Sequence, residues 1–139
     1  MMKYDFLVQA LENGLWPRYS IEAHWNGKHF AIPMLCFCDI PLSHIKKHLS
    51  EYGEYGIGVT KEFAQKQNIT PVQYIASGTT MMNKINNFIK TFEKPSECKN
   101  IDYKEYLLYY IKKVNGKNCK NKNQKFYDER EWRYIPPIM

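Results

Sequence analysis

The fold of this chain is decided by residues 32–63, IPMLCFCDIPLSHIKKHLSEYGEYGIGVTKEF. An apolar run of strand length covers residues 30–38. Pro33 favours an edge position for this strand, or a strand that begins after it, because proline cannot donate a backbone hydrogen bond. Asp39 can cap the helix that should follow, and Gly53 is a typical helix stop. The stretch therefore predicts a strand that leads directly into a helix.

The next segment, YGIGVT at residues 55–60, alternates glycines with apolar residues. This alternation predicts a strand on which Gly56 and Gly58 share one face. A strand face without side chains lets a helix or a ligand approach closely, and we interpret it as one wall of a binding cleft. Thr60 should cap a short helix, and residues 71–75 should form a further strand.

Helical periodicity dominates much of the remaining sequence. The apolar spacing over residues 4–14 predicts an amphipathic helix with a glycine stop, and that over residues 79–92 predicts a second helix. Asp102 and Glu105 form a capping-box-like start for a helix that should run to Gly116.

The terminal segment EREWRYIP, residues 129–136, predicts a strand with Glu131 and Arg133 on one face and Trp132 on the other. Strands and helices thus alternate along the chain, with two successive helices before the last strand. We expect an α+β fold with a small mixed or antiparallel sheet and four to five helices. The length favours a single domain over residues 1–139.

Composition limits the class of protein. The chain has 139 residues with 20 Lys+Arg and 14 Asp+Glu, so its formal net charge is +6. It lacks the run of about 18 apolar residues that a membrane span needs, and acidic residues near its start argue against a secretory signal. We therefore expect a cytoplasmic protein that contacts no membrane. Its four cysteines should be reduced: Cys36, Cys38, Cys98 and Cys119. Cys36 and Cys38 should be buried as small apolar side chains.

Excess positive charge is concentrated in residues 116–125, GKNCKNKNQK, which contain four lysines and no acidic residue. Such a segment cannot bury apolar surface, so it predicts a solvated loop. A basic run also attracts phosphates, which leaves nucleic-acid binding through residues 117–125 as an alternative. The ordinary loop is favoured, because no aromatic residue for base stacking is interleaved before Phe126.

Two further kinds of site are set aside. A Cys₂His₂ zinc site could be drawn from two pairs, Cys36 with Cys38 and His44 with His48. Their spacing does not match that of usual zinc sites, so we predict no metal. Cys38 precedes a helix start, but its apolar neighbours should raise the pKa of its thiol, so we predict no catalytic cysteine.

Polar residues are dense in FYDEREWR, residues 126–133. On a strand, Glu129, Glu131 and Arg133 share one face. A carboxylate there could act as a base or bind a ribose, and the arginine could clamp a phosphate or a carboxylate. The alternative is that these side chains form structural ion pairs with neighbouring strands, and the residues alone favour that alternative.

A second polar cluster follows the first helix, in a segment that we predict to be a loop. We expect this loop, the strand glycines and the terminal strand to surround one ligand- or partner-binding cleft. The predicted binding residues are Arg18, Tyr19, Glu22, Tyr52, Tyr55, Gly56, Gly58, Lys61, Glu129 and Arg133.

Four blocks of the sequence resemble a known family: residues 14–22, 32–63, 70–75 and 126–136. The most specific strings, CFCDIPLS and EYGEYGIGVTKE, are similar to the AbiGi family of bacterial abortive-infection, phage-resistance proteins. These are described as antitoxins partnered with AbiGii-type toxins. The resemblance implies a phage-defence binding module that contacts a cognate toxin and needs no cofactor. It also implies a leading strand with an H-[FY]-T-like string, which we expect to be missing here.

The family layout also resembles that of small ADP-ribosyltransferase-like domains, which hold NAD. This implies an alternative function as an NAD-consuming ADP-ribosyltransferase or NAD glycohydrolase. Glu131 would then be the catalytic glutamate, and Arg18 or Tyr19 would face the nucleotide. Likeness of fold alone is a weak argument for activity, and a missing first strand should weaken NAD binding. The binding module is therefore the favoured function.

Overall fold

An antiparallel sheet of four strands organises the computed structural model within the residues that it describes, which are 2–23, 29–91, 103–118 and 120–137. In chain order its strands are β1 (Arg18–Ala23), β2 (His29–Cys38), β3 (Thr70–Pro71) and β8 (Glu131–Tyr134). In space the order is β1-β2-β8-β3. The terminal strand β8 is therefore an inner strand, paired with β2 on one side and β3 on the other.

Two smaller sheets and five helices complete the described part of the chain. The smaller sheets are a parallel pair, β4 (Gln73–Ile75) with β5 (Ile111–Lys113), and an antiparallel hairpin, β6 (Asn115–Lys117) with β7 (Asn123–Lys125). The helices are α1 (Tyr4–Asn13), α2 (Lys46–Tyr52), α3 (Lys61–Lys66), α4 (Thr80–Lys90) and α5 (Tyr103–Leu108). Single 3₁₀ turns lie at Leu42–His44 and Phe126–Glu129. The predicted α+β fold is confirmed.

Local sequence explains where several helices begin and end. The hydroxyl of Thr60 accepts a hydrogen bond from the backbone N–H of Phe63 at 3.1 Å, which caps α3, and Thr79 caps α4 in the same way. Gly53 ends α2 with a φ of 110°, and a Cβ on it would lie 2.6 Å from the carbonyl group of Met2. Only glycine fits both this backbone angle and this close contact. The predicted caps at Thr60 and Gly53 are confirmed.

Two apolar clusters form the core. The first joins α4 to β4 and α5 and contains Ile75, Met82, Ile85, Ile89 and Leu108. The second lies on one face of the four-stranded sheet, which we call the inner face, and contains Ile32, Met34 and Ile135. Tyrosines from α5 and the residues after it pack against this second cluster.

The first half of the sheet differs from the prediction in two respects. The polar segment with Arg18, Tyr19 and Glu22 is not a loop, because it forms β1 and pairs along its whole length with β2. Strand β2 is not an edge strand, since it lies between β1 and β8. Pro33 is tolerated there because β8 pairs with β2 only from Leu35 onward, so next to Pro33 the described strands leave one side of β2 unpaired.

Residues 55–60 do not form the predicted strand. Tyr55 makes an isolated bridge with Met2, in which the two N–O distances are 2.7 and 3.1 Å, and residues 56–60 are irregular. Two glycines in this short segment raise the entropic cost of an extended conformation and offer no side chains to pack. Gly56 and Gly58 therefore share no strand face.

The predicted strand over residues 71–75 is divided between two sheets. Val72 donates its N–H to the carbonyl oxygen of Glu131 on β8 at 2.9 Å, whereas Gln73 donates to the carbonyl oxygen of Tyr110 at 2.8 Å. The backbone changes partners between these two residues, so β3 ends and β4 begins there.

The long helix predicted from Asp102 to Gly116 is wrong beyond Leu108. Strand β5 starts at Ile111, which pairs with β4 and packs against the first apolar cluster. Tertiary pairing and β-branched side chains thus outweigh the helical spacing of the apolar residues. The predicted loop over residues 116–125 is mostly exposed, as expected, but residues 116–117 and 123–125 form the strands of the hairpin β6–β7 instead of loop. Asp102 lies outside the described residues, as do Cys98 and Cys119.

Candidate functional site

A buried arginine is the centre of a charge network on the inner face. Arg133 on β8 has 0% of its surface exposed. Its Nε donates to Oε1 of Glu131 at 2.6 Å, and its Nη2 donates to Oε1 of Glu22 at 2.6 Å. Its Nη1 donates to the carbonyl oxygen of Tyr109 at 2.7 Å. A buried guanidinium is stable only with partners of this kind, so Arg133 makes structural ion pairs.

Glu131, which is 6% exposed, is held by two cations. Besides Arg133, the ammonium group of Lys112 donates to its Oε2 at 2.9 Å. Burial alone would raise the pKa of the Glu131 carboxyl, but the charges of Arg133 and Lys112 outweigh it and lower this pKa to about 2. Glu131 is therefore ionised throughout the physiological pH range, and both of its oxygens are occupied.

Lys112 extends the network to Glu129. Its Nζ donates to Oε2 of Glu129 at 3.0 Å and lies 4.7 Å from the ring centre of Phe126. The other oxygen of Glu129 accepts from the hydroxyl of Tyr52 at 3.1 Å and from Nε2 of Gln124 at 2.6 Å. Desolvation, and then the Glu129 carboxylate, raise the pKa of Tyr52 to about 12, so its hydroxyl keeps its proton and remains a donor.

We call these five charged side chains the charge cluster: Glu22, Lys112, Glu129, Glu131 and Arg133. Two cations face three carboxylates, so the cluster has a formal charge of −1 within a chain whose total is +6. Removal of either cation would leave three carboxylates with a single cation in a region of low dielectric constant.

A cleft of about 1290 Å³ borders the charge cluster. Four members of the cluster line it, whereas Arg133 is buried and does not. Residues 56–60 also line this cleft, together with Lys61, whose ammonium pairs with Asp39 at 2.8 Å. The cleft therefore combines fixed charges, exposed backbone and apolar side chains.

The cysteines of β2 also line this cleft, which contradicts their predicted burial in the core. Cys36 is exposed and Cys38 is partly exposed, and both thiols are free. Protein atoms still surround Cys36 closely enough for desolvation to raise the pKa of its thiol, and the Glu131 carboxylate raises it further. Desolvation likewise raises the pKa of Cys38. Neither thiol has the lowered pKa of an activated nucleophile.

The sequence of the chain was compared with those of known protein families and proteins. The chain matches, over residues 17–139, the family model described as "Putative abortive phage resistance protein AbiGi, antitoxin". This chain belongs to the AbiGi family. It is also 30% identical, over an alignment 131 positions long, to a protein of Lactococcus lactis subsp. cremoris named abortive phage resistance protein AbiGi.

That alignment covers 78% of this AbiGi-family chain and 53% of the Lactococcus protein, so the chain spans about half the length of its curated relative. No solved structure matches the chain at a significant level. All five members of the charge cluster and both strings that carried the resemblance lie within the family match.

Most of the predicted binding residues of this AbiGi-family chain lie at the cleft: Glu22, Tyr52, Gly56, Gly58, Lys61 and Glu129. Glu131, the predicted glutamate of the enzymatic alternative, also lines it. Arg18 and Tyr19 instead line an adjoining hollow of about 770 Å³, where the guanidinium of Arg18 lies 4.7 Å from the ring centre of Phe6. Tyr55, whose backbone bridges to Met2, lines neither space.

Sequence reasoning missed Lys112, which neutralises two carboxylates of the charge cluster. It was assigned to a helix, where no spacing relates it to the terminal strand. The useful signal was the excess of carboxylates near Glu131, which requires a cation from elsewhere in the chain. Within the described ranges, no three His, Cys, Asp or Glu side chains are grouped to hold a metal ion, and no helix is long and apolar enough to cross a bilayer.

Proposed function

We propose that this chain is an antitoxin-type binding module that contacts a protein toxin in phage defence. The matched family description contains the term antitoxin, and the Lactococcus relative is named for abortive phage resistance. The structural observation that carries the proposal is an exposed apolar surface at the edge of the four-stranded sheet.

This edge surface consists of Trp16, Tyr19 and Ile21, whose exposed fractions are 72%, 77% and 66%. Tyr19 and Ile21 lie on the same side of β1, and Trp16 precedes that strand. Aromatic and branched apolar side chains that are this exposed are typical of the centre of a protein–protein interface.

The backbone of β1 offers a second means of binding. Within the described residues β1 pairs only with β2, so the outer edge of β1 presents backbone N–H and C=O groups. A partner strand can add to such an edge, with hydrogen bonds supplying affinity and the side chains of Tyr19 and Ile21 supplying specificity. We propose that a strand of the toxin docks here.

The charge cluster supports binding over proton transfer. A general base should have a pKa near the working pH, whereas the pKa of Glu131 is about 2 and both its oxygens are occupied. The cluster instead fixes β1 through Glu22 to β8 through Arg133, at 2.6 Å. It thereby holds the edge strand in position before a partner arrives.

Co-expression with an AbiGii-type toxin tests the proposal. The native chain should restore growth and co-elute with the toxin in size-exclusion chromatography. The variant Ile21→Lys should weaken the complex at least about tenfold, because it places an unpaired cation at the centre of the contact. The matched control is Leu42→Lys, which makes the same change at a residue that is 83% exposed and lies outside the edge surface.

Both variants should melt at the native temperature, since neither residue is buried. The proposal fails if the native chain neither binds the toxin nor restores growth. Equal losses from both variants would show that the toxin docks elsewhere on the chain.

A further inference from the structure

We propose that the hairpin β6–β7 is a separate binding surface that holds the phosphate backbone of duplex nucleic acid. The proposal does not depend on toxin binding, because the hairpin shares no residue with the edge surface. Four observations carry it: the division of the hairpin into two faces, the anchoring of one face, the ordered tip, and the absence of compensating charge.

The pairing register separates the hairpin into a basic face and an anchored face. Asn115 lies opposite Lys125, and Lys117 lies opposite Asn123. Residues directly opposite each other in an antiparallel pair share a face, so these four side chains project together, and all four residues are exposed. We call this the lysine face.

The other face of the hairpin is fixed to the body of the protein. A Cβ on Gly116 would lie 2.7 Å from Cε2 of Phe126, so glycine lets the 3₁₀ turn pack directly against the strand. Gln124, opposite Gly116, donates to Oε1 of Glu129 in the charge cluster at 2.6 Å. This anchoring leaves the lysine face pointing away from the packed side.

The tip of the hairpin is held by Asn118. Its side-chain Oδ1 accepts from the backbone N–H groups of Lys120 and Lys122, both at 3.0 Å, and its Nδ2 donates to Gln124 at 3.1 Å. Asn121 takes the positive φ of 57° that the turn requires. Hydrogen bonds to Asn118 therefore hold the backbone of Lys120 and of Lys122, which lowers the entropic cost of binding.

The lysines of the hairpin lack compensating charge. From Lys112 to Tyr127 the sequence contains no acidic residue. Within the described residues, no ion pair involves Lys117, Lys120 or Lys122, and Lys125 has only an exposed contact of 3.3 Å with Asp128. Lysines without acidic partners attract the phosphate backbone of a nucleic acid, and their binding releases the counterions that the phosphates had held.

The shape and composition of the hairpin favour a duplex over a single strand. A two-stranded ribbon fits the major groove of B-DNA, which is about 12 Å wide. Asparagine amides between the lysines can donate to phosphate and sugar oxygens. Single-strand binders add aromatic side chains for base stacking, and the lysine face carries none.

Fluorescence anisotropy with short labelled duplex DNA and duplex RNA tests the proposal over a range of salt concentrations. The native chain should bind with an affinity that falls steeply with salt. The triple variant Lys117→Gln, Lys120→Gln, Lys122→Gln should weaken binding to duplex DNA at least about tenfold. Each lost phosphate contact removes about 0.9 from the slope of log affinity against log salt, so its magnitude should fall by up to about 2.7.

The control is Lys47→Gln, Lys84→Gln, Lys90→Gln, which removes the same charge from exposed positions on helices. A further variant, Asn118→Ala, keeps every lysine but releases the tip. It should weaken binding several-fold and leave the salt slope unchanged.

Duplex DNA should bind more tightly than duplex RNA, because the major groove of A-form RNA is too deep and narrow for a two-stranded ribbon. Tighter binding of duplex RNA would overturn the proposed placement in the major groove. The proposal is overturned if neither duplex binds at low salt, or if the control triple variant loses as much affinity as the hairpin triple variant. It is also overturned if polyglutamate competes as well as the unlabelled duplex, because the hairpin would then be a general anion surface. Intact toxin binding by the triple variant would separate this proposal from the proposed function.

Discussion

Arg133 and Glu131 form an ion pair although both side chains are almost completely buried. Either group alone would be costly to bury, and their mutual attraction, with Lys112 and Glu22 added, offsets that cost. This dependence explains why a carboxylate that lines a wide cleft has a pKa near 2 instead of the raised pKa of an isolated buried acid.

The variant Glu131→Gln should destabilise the chain by about 3–5 kcal/mol at neutral pH, since it leaves Arg133 and Lys112 undercompensated. Urea unfolding followed by circular dichroism would measure this loss. Glu62→Gln is the control, because Glu62 forms an exposed pair with Lys66 and should change stability by no more than about 0.5 kcal/mol. A loss at Glu131 no larger than that at Glu62 would contradict the role given to the cluster.

The same variant has a defined pH dependence. Folding lowers the pKa of Glu131 from its ordinary 4.5 to about 2, and a lowered pKa adds stability that is fully present above about pH 4.5. That stability is lost as the pH falls towards 2. The difference between native and Glu131→Gln should therefore shrink on acidification, and a difference that grows would contradict the assignment.

The sequence predicts the pair of charged residues at the centre of the cluster, but it does not predict which residues from other strands pair with them. The period of two in a strand predicts that Glu131 and Arg133 share one face, and the structure adds that both side chains are buried there. Glu22 and Lys112 reach them from β1 and β5, elements that the local sequence did not identify. Long-range partners of a buried charge are set by strand order, which a single sequence does not encode locally.

Among the helices and strands, those that depend on pairing with a distant part of the chain were predicted least well from the local sequence. The helix boundaries at Thr60 and Gly53 were predicted correctly, because a threonine or a glycine acts within one turn of its own position. Asp39 caps no helix and instead pairs with Lys61. Strand β1 was missed although RYSIEA alternates polar with apolar residues, because its polar residues directly follow a helix stop and were interpreted as a functional loop. Strand β5 was missed because Ile111 and Val114 fit a helical stripe as well as a strand.

The irregular segment 56–60 was assigned the wrong structure but the expected position, since it lines the cleft. A Cβ on Gly58 would meet no atom within 4 Å, and its φ is not positive. Gly58→Val should therefore change the thermal midpoint little while projecting a branched side chain into the cleft. If the toxin also enters the cleft, co-elution should weaken in this variant.

Gly53→Val is the matched comparison for that prediction. Its φ of 110° and the Met2 carbonyl group at 2.6 Å leave no room for a side chain, so it should lower the thermal midpoint substantially. Differential scanning calorimetry of both variants would distinguish the two sites. Unfolding of Gly58→Val would mean that residues 56–60 pack against the protein and do not border open space.

At the scale of the whole molecule, charge is separated in space. The chain has a net charge of +6, but the charge cluster beside the cleft is negative while the hairpin is strongly basic. Glu129 joins the two regions, since it accepts from Lys112 in the cluster and from Gln124 in the hairpin. The edge surface of β1 is a third region, tied to the cluster through Glu22.

This organisation also bears on the NAD-consuming alternative. A glutamate that stabilises a reacting ribose must approach it, but both oxygens of Glu131 are already held by Arg133 and Lys112 at 2.6 to 3.1 Å. Breaking these bonds would remove one of the two carboxylates with which each of these buried cations pairs. We therefore expect the native chain to release no nicotinamide from labelled NAD, as measured by chromatography of the reaction mixture.

The decisive comparison is with Glu131→Gln, assayed at a temperature where circular dichroism shows it folded. Nicotinamide release by the native chain that disappears in this variant would contradict the expectation and make Glu131 a catalytic residue. Equal release by both would point to a contaminating activity, because a side chain that reacts cannot lose its charge without effect.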